Sequence, residues 1–425
     1  MAVGCAGRFR GAARRRAAAL LLAFGVLTAA LAGCGGSPHH QPAAAGTATD
    51  AGVRALLDQR AAAVLHHDQA AFLAGVDPRA TRFAAAQKAV FGNLAQVPLA
   101  AWSYRLVRTG AFPLPPAADG SPRTAAEVRL SYRLAGYDTE PVVSTAYLTL
   151  SRRSGHWYVA ADDDGAVSGH PSAVQLWDQG PVKVVRGTHS LVLGLGSQAV
   201  LRGYASDADV AVPQVRHAWG SGWPGTVVVE APQSLDQMAA LLGAAPAAYR
   251  NIAAVTTGEL GGARNAPADR VIINPAAFSG LSAFGRQVVL THETTHVATR
   301  TATTANTPLW LSEGIADWVA YRDSGRTAPE IAPELTKDVT SGHPPTALPT
   351  KTSFTPTSPT LAQAYEGGWL ACRMIADQWS PEKLTAFYRA VAKSTSLDAT
   401  LRATLGVSLP TFTTRWRAYV ESELS

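Results

Sequence analysis

Two histidines four residues apart constrain the local structure of this chain more tightly than any other feature of the sequence. They bound the run His292-Glu293-Thr294-Thr295-His296. Side chains four residues apart lie on one face of an α-helix, about one turn along, so two imidazoles at this spacing can reach a single point. We therefore predict a helix from about Ser282 to Thr301 that presents both rings on the same side.

A second acidic segment follows at short range. Glu313 lies seventeen residues beyond His296, in the run Trp310-Leu311-Ser312-Glu313-Gly314-Ile315-Ala316-Asp317. Thr307 as N-cap and Pro308 as first helical residue predict a second helix from Leu309 to about Tyr321. Two neighbouring helices would then bring two imidazoles and one carboxylate together.

This set of side chains is typical of a catalytic zinc site. Zinc accepts neutral imidazole nitrogen and carboxylate oxygen, and in catalytic sites it keeps one position for water. We therefore predict His292, His296 and Glu313 as metal ligands. Glu293 is the candidate general base, which would take a proton from the water and deliver it to a leaving amine. Asp317, one turn beyond Glu313, would accept a hydrogen bond from the distal nitrogen of a ligand histidine.

HExxH followed by a helix with Glu-Gly-Ile-x-Asp resembles thermolysin and the wider gluzincin group of metallopeptidases, particularly peptidase MA-like domains. The resemblance implies zinc as cofactor and a peptide or protein as substrate. The interval between His296 and Glu313 is slightly shorter than in thermolysin, which shortens the loop between the helices. The segment from Leu401 to Val420 also resembles the helical end of peptidase MA-like domains.

A third element is the run Tyr365-Glu366-Gly367-Gly368-Trp369, which we expect to open an apolar helix through Leu370 and Met374. It is similar to the Tyr-x-x-Gly stretch of aminopeptidase-type gluzincins. That similarity implies that the Tyr365 hydroxyl donates to the developing oxyanion. A core tyrosine near a helix start is the alternative interpretation. No clear amine-anchoring acidic motif precedes the zinc helix, which slightly favours an endopeptidase.

The N-terminus has the organisation of an export signal. A basic stretch ends in Arg14-Arg15-Arg16, an apolar run extends from Ala17 to Leu31, and Leu31-Ala32-Gly33-Cys34 follows. The last four residues resemble the lipobox of bacterial lipoproteins. Residues 1–33 are therefore predicted to be a signal peptide, with Cys34 lipidated and the protein anchored at the extracytoplasmic face of the cell membrane. An ordinary signal peptide and a transmembrane helix are alternatives, although the run is shorter than the ~20 residues a span needs.

The charge of the chain follows from this segment. The net charge is +6, and five positive charges belong to the leader, which leaves about +1 for the remainder. These five are Arg8, Arg10, Arg14, Arg15 and Arg16. The basic balance therefore describes a targeting segment, and we expect no nucleic-acid partner.

Residues 34–49 are rich in Gly, Ala, Pro and Thr, and they are predicted to be a flexible tether. From about 50 to 168, helical patterns precede alternating strands and a hairpin turn at Arg153-Ser154-Gly155. Helices before a curved antiparallel sheet, and the closing run His156-Trp157-Tyr158-Val159, resemble the cone-shaped α+β domains related to nuclear transport factor two, also called SnoaL-like. The resemblance implies an accessory or ligand-holding module.

Residues 172–425 are predicted to form a second, gluzincin-like domain. Short strands are expected around 182–185, 189–195, 226–230 and 270–274, before the zinc helix, and helices from about 361 to the end. The predicted fold class is thus α+β: a cone-shaped first domain, then a small mixed sheet with the active-site helix and a helical C-terminal subdomain. The cleft should lie between the strands before 280 and the helices after 300.

Two functional hypotheses follow. The first is a zinc-dependent metallopeptidase that hydrolyses peptide bonds through metal-activated water. The second is a catalytically inactive peptidase-fold lipoprotein that acts as a binding or assembly module through its N-terminal domain. The intact Glu293 favours the first, and the oligomeric state is left open.

Overall fold

The computed structural model describes residues 43–257, 269–355 and 357–425, with side chains described from residue 49. Residues 1–42 lie outside this part, and with them the predicted signal peptide, the lipobox and Cys34. Among the described residues, no helix combines the length and the apolar character that a membrane span requires.

Helices lead and an antiparallel sheet follows in the first part of the chain, as predicted. The helices are α1 (Ala43–Leu65), α2 (Gln69–Ala74) and α3 (Thr81–Asn93). The strands are β1 (Leu99–Thr109), β2 (Arg123–Leu134), β3 (Val142–Arg153) and β4 (His156–Ala161), in the order β1-β2-β3-β4. Helix α1 begins inside the segment predicted as a tether, because alanines at its start favour a helix.

The hairpin between β3 and β4 follows from its two turn residues. Ser154 has φ 47° and Gly155 has φ 87°. Two consecutive positive φ values match the two-residue turn whose twist suits paired strands. The predicted hairpin is confirmed. On β2, Val128, Leu130 and Tyr132 are buried, so one face of the sheet packs against α1.

The second sheet is small and mixed. Its strands are β5 (Lys183–Arg186), β6 (Ser190–Gly194), β7 (Val227–Ala231), β8 (Ala254–Thr256) and β9 (Val271–Ile273). Their order is β5-β6-β7-β9-β8, with β6, β7 and β9 parallel and the two edges antiparallel. A parallel pair needs a crossover connection, and α4 (Gln198–Trp219) supplies it between β6 and β7. Neither α4 nor β8 is among the elements predicted from the sequence.

Helices dominate the rest of the chain. They are α5 (Leu235–Leu241), α6 (Pro275–Ser279), α7 (Ala283–Thr299), α8 (Leu309–Tyr321), α9 (Ala328–Ile331), α10 (Pro333–Thr340), α11 (Leu361–Gln378), α12 (Pro381–Val391), α13 (Leu397–Leu405) and α14 (Leu409–Leu424). Two predicted helix starts need correction. Pro308 is itself the N-cap of α8, with ψ 144°, in place of Thr307. Helix α11 begins at Leu361, so Tyr365 lies in its second turn.

The two sheets share one apolar core and a buried ion pair. Tyr132 and Trp177 pack in the same cluster as Leu193 and Val228 of the second sheet. The guanidinium of Arg270, just before β9, donates two hydrogen bonds to Asp138 beyond β2, at 2.8 and 2.7 Å. The fold class is α+β, with an antiparallel sheet first and a helical C-terminal region. The first sheet therefore packs directly on the part that carries the histidines.

Candidate metal centre

The helix that carries the histidines begins and ends close to the predicted positions. Ser282 caps α7, and its side chain accepts a hydrogen bond from the N–H of Gly285 at 3.1 Å. The helix lies between α4 and α8, and both of its ligand candidates are buried. His292 is 1% exposed and His296 is 5% exposed. A polar pair this deeply buried needs compensating partners.

Glycines bring α8 close to α11. A Cβ on Gly314 would lie 2.2 Å from the main-chain oxygen of Gly368 on α11, and a Cβ on Gly368 would lie 2.7 Å from that of Trp310. The two helix backbones can therefore touch only where neither residue has a side chain. Glu313, next to this crossing, is 1% exposed and faces the histidines.

Three donor atoms from α7 and α8 meet at one point. His292 Nε2 and His296 Nε2 are 3.0 Å apart. Glu313 Oε2 lies 3.3 Å from the first nitrogen and 3.4 Å from the second. Donors about 2.05 Å from a tetrahedral zinc ion stand about 3.3 Å from one another. The three edges of this triangle therefore fit the ligand separations of a zinc site.

Glu313 Oε2 supports the same interpretation from its own surroundings. The atom is buried, and no donor among the described residues makes a well-aligned hydrogen bond to it. Burial alone would raise the pKa of Glu313, but His296 and His292 outweigh it and lower the pKa to about 2. A buried carboxylate that stays ionised, with a lone pair aimed between two imidazoles, suits a bound cation.

Asp317 lies in hydrogen-bonding contact with His292. Its Oδ1 lies 2.7 Å from His292 Nδ1, on the far side of the ring from Nε2. A carboxylate at Nδ1 keeps the proton there and leaves Nε2 as the metal-facing nitrogen. Burial alone would lower the pKa of His292, but Asp317 and Glu313 outweigh it and raise the pKa to about 10. The Asp317 carboxylate therefore fixes the orientation of the His292 ring.

Glu293 follows His292 on α7 and has a partner that the sequence did not reveal. The side chain is 2% exposed, and its Oε2 accepts a hydrogen bond of 2.5 Å from Thr256 Oγ1. Thr256 ends β8, the edge strand next to α7. No pattern in the sequence links this three-residue strand to the helix.

Tyr365 is buried on α11. It is 6% exposed, and its ring packs edge-on against Phe354 at 5.2 Å. It lies one turn before Gly368, on the α11 helix that packs on α8. Its role as an oxyanion donor stays a prediction.

Comparison with known proteins gives no sequence match and only a distant structural likeness. No family model matches the chain, and no curated protein matches it. An M1 zinc metallopeptidase mutant from Deinococcus radiodurans aligns at 15% identity and a TM-score of 0.33, over 71% of this chain and 62% of that chain. A mutant of the two-domain M1 zinc metallopeptidase with L-arginine bound aligns at 14% identity and a TM-score of 0.33, over 70% and 61%.

The Deinococcus radiodurans mutant bound to a Tyr-Ser-Ala substrate aligns at 14% identity and a TM-score of 0.30, over 71% of this chain and 62% of that chain. The chain thus spans about three fifths of the length of these structures.

Proposed function

We propose that this chain is a zinc-dependent metallopeptidase of the gluzincin type. One observation carries the proposal: the donor triangle of His292, His296 and Glu313, with edges of 3.0, 3.3 and 3.4 Å. Those lengths match a tetrahedral zinc site with one remaining position for water. The triangle is buried and is built from α7 and α8, and glycine contacts bring α8 against α11.

The chemistry divides between the metal and the residues around it. Zinc, when bound by His292, His296 and Glu313, would acidify a water molecule and polarise the scissile carbonyl. Glu293 would accept the proton of the attacking water and pass it to the leaving amine. Asp317 would keep His292 in the tautomer that binds metal. Tyr365 is proposed to donate to the oxyanion.

The same proposal includes the location and the organisation of the chain. Residues 1–33 would be removed as a signal peptide, Cys34 would be lipidated, and the enzyme would act on peptides or proteins at the extracytoplasmic face of the membrane. The unit at 50–168 would be an accessory domain to the peptidase unit at 172–425. Its packing against the second sheet supports an accessory role over an independent one.

The decisive experiment separates metal binding from catalysis. The purified mature chain is loaded with zinc, dialysed, and incubated with an unstructured protein and a peptide library, and the products are read by mass spectrometry. We expect cleavage that is lost on metal stripping and restored by zinc. Glu293→Gln should keep its zinc and lose the activity, since it removes the base but no ligand. A zinc-loaded chain that is inert toward every peptide, while partners bind through the first domain, would favour the binding-module alternative.

A further inference from the structure

Thr256 makes a contact with Glu293 that the reaction chemistry does not itself require. Its Oγ1 lies 2.5 Å from Glu293 Oε2 and 3.1 Å from the main-chain oxygen of the same residue. Thr256 is 2% exposed, so water does not compete freely for the hydroxyl. The two residues are 37 positions apart, on β8 and α7 respectively. This contact therefore joins the edge strand to the helix at the general base.

The hydroxyl has a single proton and must choose between the two acceptors. A hydroxyl that donates to a carboxylate makes a bond of about 2.5 to 2.7 Å, roughly twice as strong as one to a neutral acceptor. The 2.5 Å contact with Oε2 fits this class, and the 3.1 Å contact does not. Because a carboxylate has two oxygens, this bond leaves Oε1 of Glu293 to accept a proton.

The strand end that carries Thr256 is itself fixed in place. Thr257 N–H donates to the carbonyl of Arg270 at 2.8 Å, and Arg270 N–H donates to Thr257 Oγ1 at 2.9 Å. Arg300, at the end of α7, donates to the carbonyl of Thr257 at 2.9 Å and to Asp269 at 3.0 Å. Strand β8 is thus bonded both to β9 and to the helix of the base. A hydroxyl on such a support can hold a partner in one orientation.

We propose that Thr256 is a positioning residue for the general base: it holds one oxygen of Glu293 and so directs the other toward the attacking water. This inference rests on the proposed function. A glutamate side chain has three rotatable bonds, and a misplacement of about 1 Å can cost a hundredfold in rate. Thr256 is not one of the candidate metal ligands, and in this proposal it acts through Glu293.

The test compares Thr256→Val, which keeps the shape and removes the hydroxyl, with Thr256→Ser, which keeps the hydroxyl. Thr294→Val is the matched control, since Thr294 Oγ1 is also buried and has no hydrogen-bond partner among the described residues. Thr256→Val should lower kcat by roughly 10- to 100-fold at an unchanged KM and an unchanged zinc content. Thr256→Ser should stay within about threefold of the parent kcat, and Thr294→Val should match the parent.

A Thr256→Val enzyme with the kcat of the control would overturn the proposal. Equal losses in Thr256→Val and Thr256→Ser would also overturn it, since packing and not the hydroxyl would then matter. If Thr256→Val loses zinc, urea unfolding of the metal-free chain tests the Thr256–Glu293 contact instead. Thr256→Val should shift the midpoint less in a Glu293→Ala background than in the parent, and equal shifts would refute the contact.

These outcomes are separate from a failure of the proposed function. A parent chain without zinc-dependent hydrolysis refutes the peptidase assignment itself. An active parent whose kcat is insensitive to Thr256→Val refutes only the positioning role.

Discussion

Asp138→Asn should destabilise the protein strongly, because it leaves a guanidinium buried without its main counter-charge. Asp138 and Arg270 have side chains that are 2% and 4% exposed, and their closest N–O distance is 2.7 Å. Removing one member of a buried pair costs about 3 to 5 kcal/mol. Glu230 lies 3.7 Å from Arg270 and retains part of the compensation. We therefore expect the lower end, about 3 kcal/mol, or roughly a hundredfold in the folding equilibrium.

An exposed ion pair of similar length provides the control. Arg402 lies 2.8 Å from Asp398 on one helix, with side chains 62% and 41% exposed. Arg402→Gln should cost only about 0.3 to 0.5 kcal/mol, because water screens the pair. Urea unfolding of both metal-free variants, followed by fluorescence, measures the difference. If the two substitutions change the free energy of unfolding equally, burial does not determine the strength of the Asp138–Arg270 contact, and the reasoning fails.

Three further predictions concern the site and its helices. Gly314→Ala would place a methyl group 2.2 Å from the carbonyl oxygen of Gly368. We therefore expect the free energy of unfolding to fall by about 1 to 3 kcal/mol and less zinc to bind. Thermal unfolding and metal analysis check this, and a variant as stable as the parent would contradict the close crossing of the helices. Asp317→Asn removes the carboxylate at His292 Nδ1 and should weaken zinc binding by about 10- to 100-fold in a chelator competition. Equal zinc affinity in Asp317→Asn and the parent would rule out the orienting role. Burial raises the pKa of Glu366, so the native state keeps that proton to a higher pH than the unfolded chain and loses relative stability as pH rises. The free energy of unfolding of Glu366→Gln, relative to that of the parent, should therefore rise by at least about 1 kcal/mol between about pH 5 and about pH 9. A difference in unfolding free energy that stays constant with pH in urea titrations would contradict the raised pKa.

The sequence predicted the helix of His292 and His296, and the grouping of these residues with Glu313, because that information is local. The spacing of His292 and His296 determines their common face, and Glu313 lies on the next helix along the chain. The helix periodicity also placed Asp317 one turn from Glu313, where the structure has it bonded to His292. Contacts within a turn, or between consecutive helices, can be read from spacing.

Contacts between distant segments could not be predicted in this way. Thr256 reaches Glu293 across 37 positions, and Arg270 reaches Asp138 across 132 positions. Strand β8 has three residues, too few for a period of two to be recognised. Helix α4 differs, since its buried Leu201, Ala205, Ala208 and Val212 do recur at helical spacing. That helix could have been found from the sequence, whereas the Thr256 contact with Glu293 could not.

The most direct test of the central claim is the zinc content of the mature chain and of Glu313→Gln, measured by mass spectrometry of the metal after loading and dialysis. Glu313→Gln replaces the carboxylate that lies 3.3 and 3.4 Å from the two imidazole nitrogens with a neutral amide, a much weaker zinc ligand. We predict about one zinc per chain in the parent and a large loss in Glu313→Gln, which keeps the shape but not the charge. A parent that retains no zinc, or a variant that retains as much as the parent, would contradict the account.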